Sequence, residues 1–320
     1  MPNPLYLTEG DVAATFTVRD ALTLVEDAAR ALALGEAMNR PRQRAFTKSV
    51  GINVLVAAYG GRLGHKTYTI APKGRGARFW YTLFDDNGEM LAILEADTLG
   101  QIRTGAASGV ATRFLAREDA KVLAMLGTGW QARTQLEAVG HVRPIERALV
   151  YGRDPQRRAD FCEEMSEHVS FALEPVGDAG AAVAQADVVC TTTTAHEPLF
   201  DGARLKPGTH VNAAGSNHAN HREIDTATVT RAAIVAVEDL AQAQMEAGDL
   251  IIPAGDGAWS WDRASLLSDV VAGKAPARTA DAQITLFESL GVGLWDVAAA
   301  GFVFDRCVTE GRGTRLPFPS

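Results

Sequence analysis

Apolar and polar positions change rhythm twice along the 320-residue chain. Across residues 11–38 apolar side chains recur every three to four positions, the period of one or two amphipathic helices, with Val18-Arg-Asp20 as a helix start. Between residues 51 and 94 the pattern turns into short apolar runs at 52–59, 65–70, 79–84 and 90–94, separated by turn residues. Among these turns Asp85-Asp-Asn87-Gly88 is a strong hairpin signal, so an antiparallel sheet is expected here. From Lys121 onward, strand-like runs at 121–126, 148–151, 187–191, 209–214 and 232–237 alternate with helical segments such as 179–185. Alternation of that kind means βαβ units and a doubly wound parallel sheet. Residues 294–309 read as a last helix rich in alanine and aromatics.

Composition narrows the class. At 320 residues the chain exceeds one average domain, and 47% hydrophobic with 22% charged residues is ordinary for a globular protein with a sizeable core. A net charge of -8 without basic clusters argues against nucleic acid or anionic membrane as a partner and leaves small molecules. Cys162, Cys190 and Cys307 are odd in number and far apart, so neither a disulfide framework nor a metal site is expected. No secretory signal and no run of ~20 apolar residues is visible, and a cytoplasmic location is the expectation.

The most informative stretch is Lys121-Val-Leu-Ala-Met-Leu-Gly127-Thr128-Gly129-Trp130-Gln131-Ala132. It reads as an apolar strand, a tight turn and a helix start. Gly127 permits the turn, Gly129 lets a pyrophosphate approach the backbone, and Ala132 keeps helix and strand close. Helix-start amides then hold the phosphates, so Gly127, Thr128, Gly129, Trp130 and Gln131 are assigned to a dinucleotide. The following strand ordinarily ends in an acid for the ribose hydroxyls. Here that slot holds Gly152, followed by Arg153 and Asp154. An arginine beside a missing carboxylate suits a 2′-phosphate, whereas Asp154 could still reach a ribose, so NAD and NADP both stay open.

The wording Gly127-Thr-Gly-Trp-Gln-Ala-Arg-Thr-Gln135, together with Ile102-Arg103-Thr104-Gly-Ala-Ala-Ser108, His210-Val-Asn-Ala-Ala-Gly-Ser216 and Ile284-Thr-Leu-Phe-Glu-Ser289-Leu-Gly291, resembles the ornithine cyclodeaminase and mu-crystallin family. That family holds cyclodeaminases, amino-acid dehydrogenases and imine reductases. The resemblance implies an α/β fold: a Rossmann domain at residues 112–290, and a second, α+β substrate-binding and dimerisation domain at 1–111 completed by 291–320. It implies a homodimer paired through the N-terminal sheets. It also implies an NAD(P)H site in which Thr193, Ala214, Gly215, Ser216 and Asn217 join the glycine turn, with Thr104, His221 and Ser289 completing the set. Lys66 and Arg103 match the family's substrate-carboxylate lysine and arginine and are the expected catalytic pair. Arg44 matches a second carboxylate arginine, with Arg42 close enough to be confused with it, and Asn217 and His218 join the substrate set.

Departures from the cyclodeaminase pattern bear on the chemistry. Cyclodeaminases carry an aspartate where this chain has Asn217, and asparagine cannot act as a general base. The Met-Pro pair before the lysine becomes Val56-Ala57, and a Pro-Thr stretch becomes Gly74-Arg-Gly-Ala-Arg-Phe-Trp80. Arg75, Arg78, His218, His221 and Arg222 would add basic character to the pocket. The expected function is reduction of a small 2-imino acid to an amino acid, with a dicarboxylic substrate such as iminosuccinate favoured. A cyclodeaminase and a crystallin-like binding protein are the alternatives.

Overall fold

The computed structural model describes residues 3–70 and 77–317. It divides into two compact units, the described parts of Met1–Arg103 with Gly291–Ser320, and Thr104–Leu290. The first unit runs β1 (Leu5–Leu7), α1 (Glu9–Thr15), α2 (Val18–Leu34), β2 (Ala37–Asn39), β3 (Gln43–Phe46), β4 (Gly51–Tyr59), β5 (Arg62–Ile70), β6 (Phe79–Asp85) and β7 (Met90–Glu95). Helix α3 (Asp97–Leu115) then carries the chain into the second unit. That unit contains β8 (Val122–Leu126), α4 (Trp130–Val142), β9 (Arg147–Tyr151), α5 (Pro155–Met165), β10 (Ala172–Val176), α6 (Ala179–Gln185) and β11 (Val188–Thr191). It continues through β12 (His210–Ala213), α7 (Thr226–Arg231), β13 (Ala232–Val237), α8 (Leu240–Glu246), α9 (Gly248–Gly255), β14 (Ala264–Leu266), α10 (Leu267–Val271) and β15 (Ile284–Glu288). The chain returns to the first unit with α11 (Gly293–Glu310) and β16 (Thr314–Arg315).

In the first unit the strand order is β16-β1-β7-β6-β5-β4-β2, with β3 also on β4, and every pair is antiparallel except β1 with β7. The amphipathic stretch expected over 11–38 is two helices, each opened by a reciprocal box, Thr8 with Asp11 and Thr17 with Asp20. It stops four residues short of Met38. Gly35 takes φ 79°, and the amides of Gly35 and Glu36 bond back to the carbonyls of Leu32 and Ala31 at 3.1 and 2.9 Å. The β6–β7 hairpin turns where expected, because Asp85 Oδ1 accepts the amides of Asn87 and Glu89 and Gly88 supplies φ 84°. Along β4, Gly51, Asn53, Leu55 and Ala57 are buried while Ile52 and Val56 are exposed, the alternation of a sheet covered on one face. Helices α11 and α2 pack together, and α11 covers the inner face of β4 and β5.

The second unit holds a fully parallel sheet, β10-β9-β8-β11-β12-β15-β13-β14. Its apolar runs are continuous because both faces are covered. Leu123, Met125, Val188 and Cys190 pack with Leu136, Val139 and Phe161 on one side. Ala124, Leu126, Val189 and Val211 pack with Val183, Ile224 and Val229 on the other. No helix among the described residues is long and apolar enough to cross a membrane.

Helices α3 and α4 approach at Gly105, where an added Cβ would lie 2.5 Å from the backbone carbon and oxygen of Thr134. Backbone cannot move aside as a flexible side chain can. Gly105→Ala should therefore overpack this crossing and cost ~1–3 kcal/mol. A thermal melt should register it as a fall of roughly 2–4 °C per kcal/mol, and an unchanged melting temperature would contradict the close approach.

Candidate active site

The glycine turn sits between β8 and α4. Gly127 has φ 126°, its amide bonds to the carbonyl of Tyr151 at 2.9 Å, and a Cβ there would meet Thr192 Oγ1 at 2.6 Å. Gly129 is the helix N-cap and makes no side-chain cap, and a Cβ on it would meet nothing within 4 Å. The open space lies where a pyrophosphate needs to reach the amides of α4. Ala132, fully buried, supplies the close helix–strand contact. These observations fit the residues to a dinucleotide.

A cavity of about 370 Å³ opens on this turn, lined by Gly127, Thr128, Gly129, Gly152, Arg153 and Thr193, and also by Asp154 and Arg157. Trp130, Gln131, Thr104, Ala214, Gly215, Ser216, Asn217, His221 and Ser289 do not line it. Trp130 is half exposed at the start of α4, and Gln131 Oε1 is buried there without a hydrogen-bond partner among the described residues. The Thr104 carbonyl accepts Gln135 Nε2 at 3.5 Å. Ser289 lies just after β15, its amide on the Ala213 carbonyl at 2.8 Å. After β12 the loop through Ala214, Gly215, Ser216 and Asn217 carries His218 on to His221, whose ring stacks on His196 at 3.7 Å and lies 5.0 Å from that of His218.

Glu223 organises these loops and was not foreseen. It is fully buried and accepts four hydrogen bonds: Thr191 Oγ1 at 2.7 Å, the amide and Oγ1 of Thr193 at 2.6 Å each, and the Gly215 amide at 2.8 Å. One carboxylate thus joins the ends of β11 and β12. Burial raises its pKa, while those four donors hold it back. Behind it, burial pushes Asp249 up to about 7 against the amides of Ile224 and Glu223, and burial with three neighbouring acids lifts Glu288 well above the carboxylate range. The sequence signal for Glu223 is slight, an acid beside Ile224 in a loop.

In the first unit the cations gather on the inner sheet face. Lys66, on β5 and 2% exposed, stands between Leu55 of β4 and Tyr81 of β6 in register. Its Nζ donates to Asp296 Oδ1 at 2.9 Å, and Arg103 Nε donates to the same oxygen at 2.8 Å. Asp296 is wholly buried in the first turn of α11. Its Oδ2, Arg103 Nη1 and the Tyr81 hydroxyl are buried without a hydrogen-bond partner among the described residues. Arg42, also buried, donates Nη2 to the Gly291 carbonyl at 2.9 Å, and Arg44 donates Nε to Asn53 Oδ1 at 2.9 Å. Of these two arginines, it is the Arg42 charge that Lys66 feels. Burial first, then Arg103, push the Lys66 ammonium down to about 7 despite the pull of Asp296. Asp296 escaped the sequence reading because one acid in the first turn of a helix is ordinary dipole compensation.

Buried cations outnumber the single carboxylate beside them, and a donor is left over. Such an arrangement asks for an anion, because buried charge is costly unless paired. Of the further basic residues expected near the substrate, Arg78 is exposed, Arg222 donates to the Ile224 carbonyl at 2.8 Å, and Arg75 lies outside the described residues. No group of three or more His, Cys, Asp or Glu among the described residues could hold a metal ion.

The model of the ornithine cyclodeaminase/mu-crystallin family matches residues 3–311. A Delta(1)-pyrroline-2-carboxylate reductase of Bacillus cereus is 35% identical over 263 residues, 80% of this chain and 81% of that protein. The Thermococcus litoralis Delta(1)-pyrroline-2-carboxylate reductase, solved in complex with NADH and L-proline, superposes with TM-score 0.93 at 32% identity, covering 98% of this chain and all of that one. The iminosuccinate reductase of Paracoccus denitrificans, in complex with NAD+, gives TM-score 0.90 at 28% identity over 99% and 100% of the two chains.

The open face of Gly129 yields a direct test. Gly129→Val should fold, since its Cβ meets nothing, yet should abolish dinucleotide binding by blocking the backbone approach. Calorimetry showing unchanged affinity in a folded variant would move the site elsewhere.

Proposed function

Because the chain belongs to the ornithine cyclodeaminase/mu-crystallin family, we propose that it is an NAD(P)H-dependent oxidoreductase that reduces a small 2-imino acid to the corresponding amino acid. The observation that carries this reading is the buried group in which Lys66 and Arg103 share one oxygen of Asp296. Arg103, with a guanidinium nitrogen to spare, is suited to grip the substrate carboxylate, and Arg42, buried and near enough for its charge to act on Lys66, is placed to complete the clamp, with Arg44 beside it on β3. Lys66 holds a proton that is lost near neutrality, which matches a donor to the imine nitrogen. When bound, the reduced nicotinamide supplies hydride to the imine carbon. Relatives that reduce pyrroline-2-carboxylate and iminosuccinate support the reaction class, and both are the substrates to try first. Asn217 in place of the cyclodeaminase aspartate speaks against deamination.

Purified protein given NADH or NADPH with pyrroline-2-carboxylate, or with ammonia and either pyruvate or oxaloacetate, should oxidise the cofactor. Ammonia release from ornithine without net cofactor change would replace this reading by a cyclodeaminase. Lys66→Ala and Arg103→Ala should each lower kcat/KM by ~10² or more, about 3 kcal/mol of transition-state stabilisation. Each should still fold, since Asp296 keeps one cation. Reduction should slow as pH rises through about 7, where Lys66 deprotonates. Asp296→Asn, which removes the charge that keeps the proton on Lys66, should move that midpoint lower, and an unmoved midpoint would exclude Lys66 as the donor.

The dimer follows from the other side of the same sheet. Ile52, Val56, Leu63 and Trp80, each 36–43% exposed, face outward from β4, β5 and β6, with Phe46 70% exposed nearby. Several large apolar side chains on one exposed sheet face support an association surface, and we propose that pairing about a two-fold axis covers it. Light scattering should give twice 34.0 kDa, and the monomer mass would overturn the pairing.

A further inference from the structure

We infer that the adenosine end of the cavity is built for a 2′-phosphorylated dinucleotide, with Arg153 and Arg157 as the specificity-determining residues, so that NADPH is preferred to NADH. This rests on the reading of that cavity as the dinucleotide site. Three observations carry it. First, the position that would hold a ribose-binding acid is Gly152, and a Cβ there would lie 3.1 Å from both Cγ2 and Oγ1 of Thr128. An acid is therefore missing, and the Thr128 side chain crowds the place where one would start. Second, Asp154 has other work. Its Oδ1 accepts the amides of Gln156 at 2.9 Å and Arg157 at 3.1 Å as the N-cap of α5, which turns the carboxylate toward the helix. Third, Arg153 and Arg157 both line the cavity, and neither guanidinium has a hydrogen bond or ion pair with any described residue. Elsewhere in this unit, Arg133 is gripped by Glu164 and Arg147 by Glu174.

Arg158 fixes the arrangement by donating Nη1 to the Gly152 carbonyl at 2.6 Å. The cavity lining thus carries two guanidinium groups without a partner among the described residues, against one carboxylate engaged as a cap. A neutral ribose diol makes no use of the net positive charge that two guanidiniums and one carboxylate leave. A phosphomonoester, with a charge of about -1.5 to -2 near neutrality and three acceptor oxygens, does. The Thermococcus and Paracoccus relatives were solved with NADH and NAD+, so the preference rests on this chain's own Gly152, Arg153 and Arg157.

Calorimetry with cofactor fragments tests the inference apart from turnover. Adenosine 2′,5′-bisphosphate should bind the wild-type protein about tenfold or more tightly than adenosine 5′-monophosphate, as expected for one or two charge-assisted bonds. It should also bind more tightly than the 3′,5′-isomer, which has equal charge. In the double variant Arg153→Ala, Arg157→Ala the 2′-phosphate should lose that advantage to within about twofold, with the monophosphate barely changed. Equal affinity for the bisphosphate and monophosphate, or for the two bisphosphate isomers, overturns the inference and leaves the dinucleotide site standing. No binding of any fragment overturns the dinucleotide reading as well.

Discussion

Everything proposed for the chemistry of this protein depends on one shared oxygen. Asp296 Oδ1 receives Lys66 Nζ and Arg103 Nε, all three residues buried. Two buried cations side by side would be prohibitively costly alone, and a carboxylate between them makes the pair tolerable without silencing it. Asp296 offsets about one charge of two, and the remainder is what the proposed substrate carboxylate would answer. The same balance sets the Lys66 proton, since burial and Arg103 loosen it while Asp296 holds it. Affinity for an anion and the capacity to give up a proton thus come from a single count of charges.

Sequence pattern revealed the long, strongly periodic elements. The helices opened by Thr8 and Thr17, the Asp85 hairpin, and the alternation from Lys121 onward follow from local periodicity and turn chemistry. The short strands β1, β2, β3, β10, β14 and β16, most of them at sheet edges, were not legible, because pieces of two to five residues carry too little pattern. The glycine turn declared its geometry through spacing alone. Lys66 and Arg103 were singled out by resemblance, and nothing in their local sequence says they are buried. Asp296 and Glu223 were invisible for a different reason: Asp296 acts on Lys66 across 230 residues, and Glu223 ties loop segments 8 to 32 residues away, and neither kind of contact leaves a periodic trace.

The two buried acids serve contrasting ends. Asp296 faces cations and is engaged through one oxygen. Glu223 faces neutral donors and is engaged through both, joining the threonine segment after β11 to the glycine after β12. Backbone that approaches a ligand cannot be braced by bulky side chains on its own surface, so bracing from behind by a carboxylate lets small residues occupy the exposed side. Such preorganisation is paid in acids that burial makes reluctant to ionise, as the upward shifts of Asp249 and Glu288 record.

The strand order of the parallel sheet also bears on how the chain is made. β15, the last strand of that sheet in sequence, lies between β12 and β13 and is hydrogen-bonded to both. Until residues 284–288 leave the ribosome, β13 and β14 have no sheet to join and β12 presents an open edge. The first unit waits as well, since α11 supplies Asp296 and covers β4 and β5, and β16 closes on β1. Vectorial synthesis therefore leaves both halves incomplete until β15, α11 and β16 have been made. Until then the chain exposes unpaired strand edges and apolar faces, the condition in which wrong pairing between chains competes with folding.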